Sequence, residues 1–363
     1  MPFEPSTHRK GSLAVAGVAA HTAPMRIGLV GFGAWGRMHA GAIARIPELS
    51  LAAVMCGSEA SAGAAAAELP GVTVYRDLGA LLRDKSVDLV DICAPNNLHA
   101  GMAVAALDAG KHVLVEKPMA TTLADAERVV AAAERSGNYC AVGLELHVSK
   151  QWARVRELIG EGAIGRTRFA NLTLFRRPFR GGSGGWRHTS ERVGSWILEE
   201  PIHYIDLLLW YFRERGLPVE VSAEGVPSPK GPGMYDAFTC TLRFADGAFA
   251  VFSQCLGGFE HSLVLEIAGD GGAIRTWWAG AMDRTQTPDF ELKLQRAGAA
   301  EAEIVAVEKS GEVFEIEEQL RRLVADVPRR APLVSARDAL PSLRVCLEIE
   351  RALAERRTIR LDW

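Results

Sequence analysis

The stretch RIGLVGFGAWGRMHA, residues 26–40, decides the fold. A short apolar run at residues 27–30 leads directly into glycines spaced G-x-G-x-x-G, at Gly31, Gly33 and Gly36. Between a strand and a helix, such glycines allow a tight turn, the close approach of a pyrophosphate, and packing of the helix on the strand. The pattern alone is weak, so its meaning depends on the rest of the chain.

Apolar and helical segments alternate from residue 25 to about residue 144. Strand-like runs such as VDLVDICA and HVLVEKP are separated by helix-like runs such as LHAGMAVAALDAG. This alternation predicts an α/β domain with a doubly wound parallel sheet, a Rossmann fold. The glycine motif would open its first helix, whose N-terminal amides and dipole favour phosphate. We therefore predict that this domain binds a dinucleotide.

The alternation of strand and helix segments ends at about residue 150. Alternating segments such as RFANLTLF, DAFTCTLRF and SLVLEIAG indicate strands with one covered face, and Asp246-Gly247 is a strong hairpin signal. A late helix carries Leu343, Cys346 and Leu347 at helical spacing before a last strand, TIRLDW. These segments predict an α+β domain with a largely antiparallel, open sheet.

The chain then divides into three parts. We predict a disordered extension over residues 1–24, a dinucleotide-binding Rossmann domain over 25–146, and a substrate-binding and oligomerisation domain over 147–363. The extension faintly resembles a signal peptide, but it is alanine-rich rather than strongly apolar. A start codon assigned too early, with Met25 as the true start, is the other interpretation.

Composition narrows the function classes. The net charge is -3 and the chain has no basic run, which argues against a nucleic-acid partner. No apolar run is long enough for a membrane span. The six cysteines are scattered without C-x-x-C or zinc spacing, which favours reduced thiols in a cytoplasmic protein and no metal site.

The end of the predicted second strand, VMCGSEAS, bears on the type of cofactor. An NAD enzyme usually has Asp or Glu there to bind the ribose 2′-hydroxyl, but here the position falls near Cys56. Gly57 leaves room for a 2′-phosphate, and the Ser58 hydroxyl is a candidate donor to it. We therefore favour NADP(H), while NAD(H), with Glu59 as the ribose ligand, stays open.

Two further stretches, residues 94–120 and 194–210, complete a pattern that resembles a known family. With the glycine motif they carry Pro95-Asn96 and His99, the triplet Glu116-Lys117-Pro118, and His203 with Asp206. The chain from about Met25 to its end resembles the glucose–fructose oxidoreductase / inositol dehydrogenase / rhizopine-catabolism (Gfo/Idh/MocA) superfamily. The resemblance implies a nicotinamide-dependent oxidoreductase that forms a homodimer or homotetramer.

The expected catalytic residues are Lys117, His203 and Glu199. Lys117 follows a strand that would end at the sheet's carboxyl edge, where ligands bind. The resemblance implies that it hydrogen-bonds the reacting hydroxyl, with His203 as general base. Glu199 and His203 are spaced i, i+4 and would share a helix face, where a carboxylate fixes the imidazole tautomer. The family usually has Asp in place of Glu199 and Gly in place of Pro201, so this sequence departs at both positions.

The remaining predicted contacts are with the cofactor and the substrate. The expected cofactor contacts are Gly31, Phe32, Gly33, Ala34, Trp35, Gly36, Ser58, Pro95, Asn96, His99 and Glu116. The expected substrate contacts are Trp186 and Arg187, after the glycine-rich RGGSGG, and Asp206, which alternatively orients His203.

The sequence therefore predicts hydride transfer between a nicotinamide cofactor and a carbinol or keto carbon of a sugar, inositol or related cyclic polyol. Two alternatives stay open. One is a dinucleotide-binding regulator without turnover. The other is an enzyme that recycles a tightly bound cofactor to drive an elimination or glycoside cleavage.

Overall fold

A computed structural model describes residues 23–363, so residues 1–22 of the predicted extension lie outside the described residues. The first half of the described chain alternates strands and helices, and its six strands form one parallel sheet. The strands are β1 (Met25–Val30), β2 (Leu49–Met55), β3 (Thr73–Tyr75), β4 (Leu89–Ile92), β5 (His112–Glu116) and β6 (Cys140–Gly143). Their spatial order is β3-β2-β1-β4-β5-β6. The predicted doubly wound Rossmann sheet is confirmed.

Five helices connect these strands. They are α1 (Ala34–Ile43), α2 (Glu59–Glu68), α3 (Leu78–Arg83), α4 (Asn96–Asp108) and α5 (Leu123–Ser136). Local sequence explains where they begin and end: Thr122 caps α5 by accepting a hydrogen bond from the Asp125 amide, and Gly137 ends it in the left-handed region at φ +62°.

The three central strands end together at one edge of the sheet. In register, Val30 of β1 lies beside Ile92 of β4, which lies beside Val115 of β5. The loops after these strands therefore converge, and they carry the glycine motif, Pro95-Asn96 and Lys117. This carboxyl edge is where ligands bind in doubly wound folds.

The second half of the chain builds a nine-stranded mixed sheet. Its order is β14-β13-β12-β11-β7-β10-β9-β8-β15, with only β7 and β10 parallel. The strands are β7 (Thr167–Phe175), β8 (Glu220–Pro227), β9 (Tyr235–Arg243), β10 (Phe249–Cys255), β11 (His261–Gly269), β12 (Gly272–Gly280), β13 (Asp289–Arg296), β14 (Glu303–Ile304) and β15 (Ile359–Arg360). The predicted largely antiparallel sheet is confirmed. Asp246-Gly247 lies in the β9–β10 connection, with Gly247 at φ +89°.

Six helices complete this half. They are α6 (Trp152–Gly160), α7 (Ser190–Val193), α8 (Trp196–Glu199), α9 (Pro201–Tyr211), α10 (Glu312–Arg329) and α11 (Ala336–Glu355). Helix α10 was not expected, and it packs back on the first sheet. Its Leu320 and Leu323 are buried in the same cluster as Ile27 and Leu114. Burying each leucine contributes roughly 1.5–3 kcal/mol, so this helix fastens the two halves together.

Strands β8 and β12 were also missed. Strand β12 begins immediately after Asp270-Gly271, where the sequence suggests only a turn. The boundary at residues 146 and 147 stays a prediction.

None of the helices among residues 23–363 is both long and apolar enough to cross a membrane. All six cysteines are free, and four of them are buried.

Candidate active site

A cavity of about 900 Å³ runs along the carboxyl edge of the parallel sheet. Its lining includes the glycine loop, Lys117 and His203. The segment after β7 and residues 282–284 close it from the side of the second sheet. Residues from distant parts of the sequence therefore meet around one space.

The glycine loop has the geometry that a pyrophosphate needs. Gly31 has φ +98°, and a Cβ there would lie 2.5 Å from the Cys93 carbonyl oxygen. A Cβ on Gly36 would lie 2.0 Å from the Gly31 carbonyl oxygen. Around Gly33, in contrast, no heavy atom of the described residues, apart from Gly33 itself and its chain neighbours, lies within 4 Å of the Cβ position. Two glycines therefore serve close packing, while the middle one leaves open space for a phosphate. The site fits a dinucleotide.

The neighbouring loop residues Phe32, Ala34 and Trp35 also line the cavity. Phe32 is buried and carries the Arg37 guanidinium over its ring, 4.6 Å from the ring centroid. Arg37 lines the same cavity and was missed by the sequence analysis.

The end of β2 presents no carboxylate to the cavity. Cys56 is buried, and Ser58 caps α2 by accepting a hydrogen bond from the Ser61 amide at 3.2 Å. Glu59 is almost fully exposed and pairs with Arg76, whose Nε also donates to the Cys56 carbonyl oxygen at 2.9 Å. The lining here includes Gly57, Ser58 and Ser61, and none of its members among the described residues is an acid.

Pro95, Asn96 and His99 occupy the start of α4. Pro95 is the N-cap, and all three line the cavity. Both His99 nitrogens face backbone carbonyl oxygens, of Pro118 and Ala94, each at 2.7 Å. Since both nitrogens are engaged, His99 holds two loops together, and a direct polar contact of its ring with the cofactor is not supported.

Glu116 lines the cavity, but its buried carboxylate faces a buried cluster formed by His39 and Asp91. Its Oε1 lies 3.4 Å from His39 Nε2, and His39 Nδ1 lies 2.8 Å from Asp91 Oδ2. Burial is the largest influence on His39 and opposes its protonation, but the neighbouring Asp91 and Cys93 together outweigh burial and raise the pKa of His39 well above its usual value. The cluster places a buried imidazolium between two acids beneath the glycine loop.

His39, Asp91 and Cys93 also bring three potential metal ligands within 4.8 Å of one another. Asp91 and Cys93 lie at the end of β4, whereas His39 comes from α1, so spacing along the sequence did not reveal the set. Burial raises the pKa of the Cys93 thiol, which disfavours the thiolate that a metal needs. His39 and Asp91 bind each other, and the absence of a metal cofactor stays a prediction.

Lys117 reaches across the cavity from the end of β5. Its Nζ donates to the Glu199 backbone carbonyl oxygen. No carboxylate oxygen among residues 23–363 lies within ion-pair distance of Nζ. Lys117 is thus a cation of the cavity without an acidic partner among the described residues.

His203 lies on α9 and is 5% exposed. Its Nδ1 has no hydrogen-bond partner among the described residues, and its Nε2 lies 3.7 Å from Glu145 Oε1. Burial, together with the charges of Lys117 and His147, lowers the pKa of His203 well below its usual value. Burial and the charge of Glu116 raise the pKa of Glu145 well above its usual value. A neutral imidazole is the form that accepts a proton.

The predicted pairing of Glu199 with His203 is wrong. Glu199 ends α8, and Glu200, at φ −139° and ψ −45°, interrupts the helix before α9 begins at Pro201. The Glu199 carboxylate instead accepts hydrogen bonds from Arg187 and from Asn96 Nδ2. Burial opposes ionisation of Glu199, but the charges of Lys117 and Arg187 keep its pKa below the usual value.

Trp186 and Arg187 do line the cavity, and Arg187 lies over the Trp186 ring at 4.8 Å. Asp206 does not line it. Its Oδ2 lies 2.5 Å from His147 Nε2, so Asp206 neither contacts the cavity nor orients His203. The prediction that Asp206 contacts the substrate is therefore wrong, and Asp206 instead hydrogen-bonds with His147.

Further lining residues were missed, among them Arg176, Glu200 and Glu312. Arg176 and Glu200 form a buried ion pair. Burial and the charge of Asp283 raise the pKa of Glu312 to about 7. Glu200 adjoins the recognised Glu199 in sequence, whereas Glu312 belongs to the helix that was not expected.

The family comparisons agree with this geometry. Residues 25–144 match the family model described as an oxidoreductase family with an NAD-binding Rossmann fold, and residues 152–275 match the GFO/IDH/MocA C-terminal domain.

The 1-carboxy-3-chloro-3,4-dihydroxycyclo hexa-1,5-diene dehydrogenase of Comamonas testosteroni is 39% identical over 249 residues. The match covers 68% of this chain and 61% of that protein. The inositol 2-dehydrogenase of Salmonella typhimurium is 32% identical over 202 residues, 54% of this chain and 57% of that protein. The chain thus matches less than two thirds of the length of either relative.

Among solved structures, levoglucosan dehydrogenase in complex with NADH superposes with a TM-score of 0.82. The superposition covers 93% of this chain and 99% of that one at 21% identity. This likeness bears on the fold alone.

Proposed function

The chain belongs to the GFO/IDH/MocA oxidoreductase family, and we propose that it oxidises a secondary alcohol, or reduces the matching ketone, of a sugar, inositol or related cyclic polyol. When bound, the nicotinamide cofactor supplies the hydride acceptor or donor. The names of two relatives, an inositol dehydrogenase and a dehydrogenase of a dihydroxylated ring, support this class of substrate.

One observation carries the proposal: Lys117 and His203 line the same cavity as the glycine loop. In the oxidative direction, neutral His203 accepts the proton of the substrate hydroxyl, and the Lys117 ammonium stabilises the developing negative charge on that oxygen. In reduction His203 returns the proton. Glu199 holds Arg187 and the loop around Asn96, so we assign it a positioning role.

A panel of cyclic polyols and keto-sugars, followed at the nicotinamide absorbance with NADP(H) and NAD(H), tests the proposal. We expect turnover of at least one polyol or keto-sugar. Cofactor binding without turnover on the whole panel would contradict it and favour a regulator. A cofactor that co-purifies and shows no net redox change would instead favour internal recycling.

We further propose that NADP(H) is preferred over NAD(H). The support is the absence of a lining carboxylate at the end of β2 among the described residues, with Arg37 lining the cavity and Arg76 held against the Cys56 carbonyl oxygen. Each of these arginines is paired with a carboxylate outside the lining, Arg37 with Glu68 and Arg76 with Glu59. The support for a 2′-phosphate from their remaining donors is therefore secondary to the missing carboxylate.

Ser58→Asp is expected to weaken NADPH binding by about tenfold or more, because it places a negative charge beside the 2′-phosphate. Aspartate is also a good N-cap, so α2 keeps its cap. Fluorescence titration with NADPH and NADH measures the change. Ser58→Asn is the matched control, since asparagine caps equally well without the charge. Tighter NADH than NADPH binding by the wild type would overturn the preference and point to Glu59.

We also propose that the protein forms a homodimer or homotetramer through the open face of the nine-stranded sheet. Phe175, Val264 and Phe249 lie on this face and are 50%, 37% and 36% exposed. Large apolar side chains exposed on an open sheet face favour burial in an interface. Sedimentation velocity is expected to give a dimer or tetramer, and a monomer at micromolar concentration would contradict the proposal.

A further inference from the structure

Three arginines in the cavity have no acidic partner. Arg177, Arg180 and Arg192 all line the cavity that contains Lys117. Among residues 23–363, none of them lies within 4.0 Å of a carboxylate oxygen. Arg180 and Arg192 therefore keep guanidinium donors that the protein itself does not use.

The other arginines at this end of the cavity are balanced. Arg176 pairs with Glu200, and Arg187 pairs with Glu199. Arg284 lies 4.0 Å from Asp283. The three unpaired arginines and Lys117 thus leave a local excess of positive charge. Like charges gathered in one cleft repel one another and attract an anion.

The unpaired arginines also differ in the contacts that their guanidinium groups make. Arg177 donates from Nε to the Phe259 carbonyl oxygen at 2.7 Å. The Met282 sulfur, 3.5 Å from Nη2, is the one hydrogen-bond partner of the Arg180 guanidinium among residues 23–363. Arg192 extends toward the glycine-rich loop, where a Cβ on Gly184 would lie 3.9 Å from its Nη1. Arg180 and Arg192 are therefore the two arginines whose guanidinium groups are available to a ligand.

We propose that the substrate carries a carboxylate, which Arg180 and Arg192 bind while Arg177 adds to the positive field. The inference rests on the proposed function and narrows it to cyclic hydroxy acids. A guanidinium fork matches a carboxylate in two parallel hydrogen bonds. The cavity of about 900 Å³ must hold both the dinucleotide and the substrate. The space left beside the dinucleotide therefore favours a substrate with a single small ring.

The test compares 3-hydroxycyclohexanecarboxylate with its methyl ester, and myo-inositol 1-phosphate with myo-inositol. We expect the free acid to have the higher kcat/KM of its pair. Arg180→Gln and Arg192→Gln should each raise KM for the acid by about tenfold, with kcat little changed and the ester unaffected. Arg168→Gln, at an exposed position of β7 outside the cavity lining, is the control and should leave the kinetics of both substrates unchanged.

A second measurement is independent of turnover. Calorimetric titration of the NADPH complex with cyclohexanecarboxylate should show binding by the wild type and none by the Arg180→Gln/Arg192→Gln double variant. Binding without turnover of any alcohol would support the anion site while contradicting the proposed reaction. Equal kcat/KM for acid and ester, with no effect of the variants, would overturn the inference. A preference for the phosphate alone would overturn the carboxylate assignment.

Discussion

Lys117→Met is expected to lower kcat for alcohol oxidation by about 10²–10⁴-fold while leaving dinucleotide binding intact. Methionine is unbranched and nearly as long, but it carries no charge to stabilise the substrate oxygen. No carboxylate among the described residues neutralises this ammonium, so its charge is available to a ligand. Steady-state rates and NADPH fluorescence titration measure the two quantities separately.

The same substitution has a second consequence, on proton transfer. The charge of Lys117 helps to lower the pKa of His203. Removing it should let the pKa of His203 rise, so that the acid limb of the residual kcat/KM profile moves to higher pH. Lys85→Met, at an exposed position outside the cavity, is the control for the loss of a lysine. Full turnover by Lys117→Met would exclude the catalytic role, and loss of NADPH binding would assign Lys117 to the cofactor.

The parts of the site that the sequence predicted are those with a local signal. The glycine spacing predicted both the turn at Gly31 and the close contact at Gly36, because each follows from the backbone of one strand–turn–helix unit. Lys117 was predicted because it follows a strongly apolar strand and because the triplet Glu116-Lys117-Pro118 resembles the family's. In both cases, a few neighbouring residues suffice to place the side chain at the sheet's carboxyl edge.

The parts that the sequence did not predict depend on breaks and on distant contacts. The shared helix face of Glu199 and His203 failed because the backbone of Glu200 leaves the helical region. The partners of Asp91 and Asp206 come from other elements, so no spacing along the chain could indicate them.

Helix α10 is a different case, because its signal was present. Its buried residues Ile316, Leu320, Leu323 and Val327 recur at intervals of three and four, the period of an amphipathic helix. Applying that period to residues 312–329 would have found the helix, although not that Glu312 at its first turn lines the cavity.

His203→Asn is expected to lower kcat/KM for oxidation by about 10²–10⁴-fold, because asparagine cannot accept the substrate proton. The dependence of the wild-type kcat/KM on pH provides a second test. Since the pKa of His203 lies well below its usual value, the imidazole stays neutral as the pH falls through 6.5. We therefore expect kcat/KM to remain level there and to decline only at clearly lower pH, where His203 becomes protonated.

The variant should lose that acid limb and instead gain rate with rising pH, as hydroxide replaces the missing base. His112→Asn, at the start of β5 and outside the cavity lining, is the matched control and should keep the wild-type profile. Binding of NADPH by His203→Asn should be unchanged. Unchanged binding would show that the variant is folded and that the lower rate comes from the missing base. If the wild-type rate falls with a midpoint near pH 6.5, burial and the charge of Lys117 do not lower the pKa of His203, and this prediction is contradicted. If His203→Asn keeps both rate and acid limb, the base is another group, and Glu312, whose pKa is raised to about 7, is the next candidate.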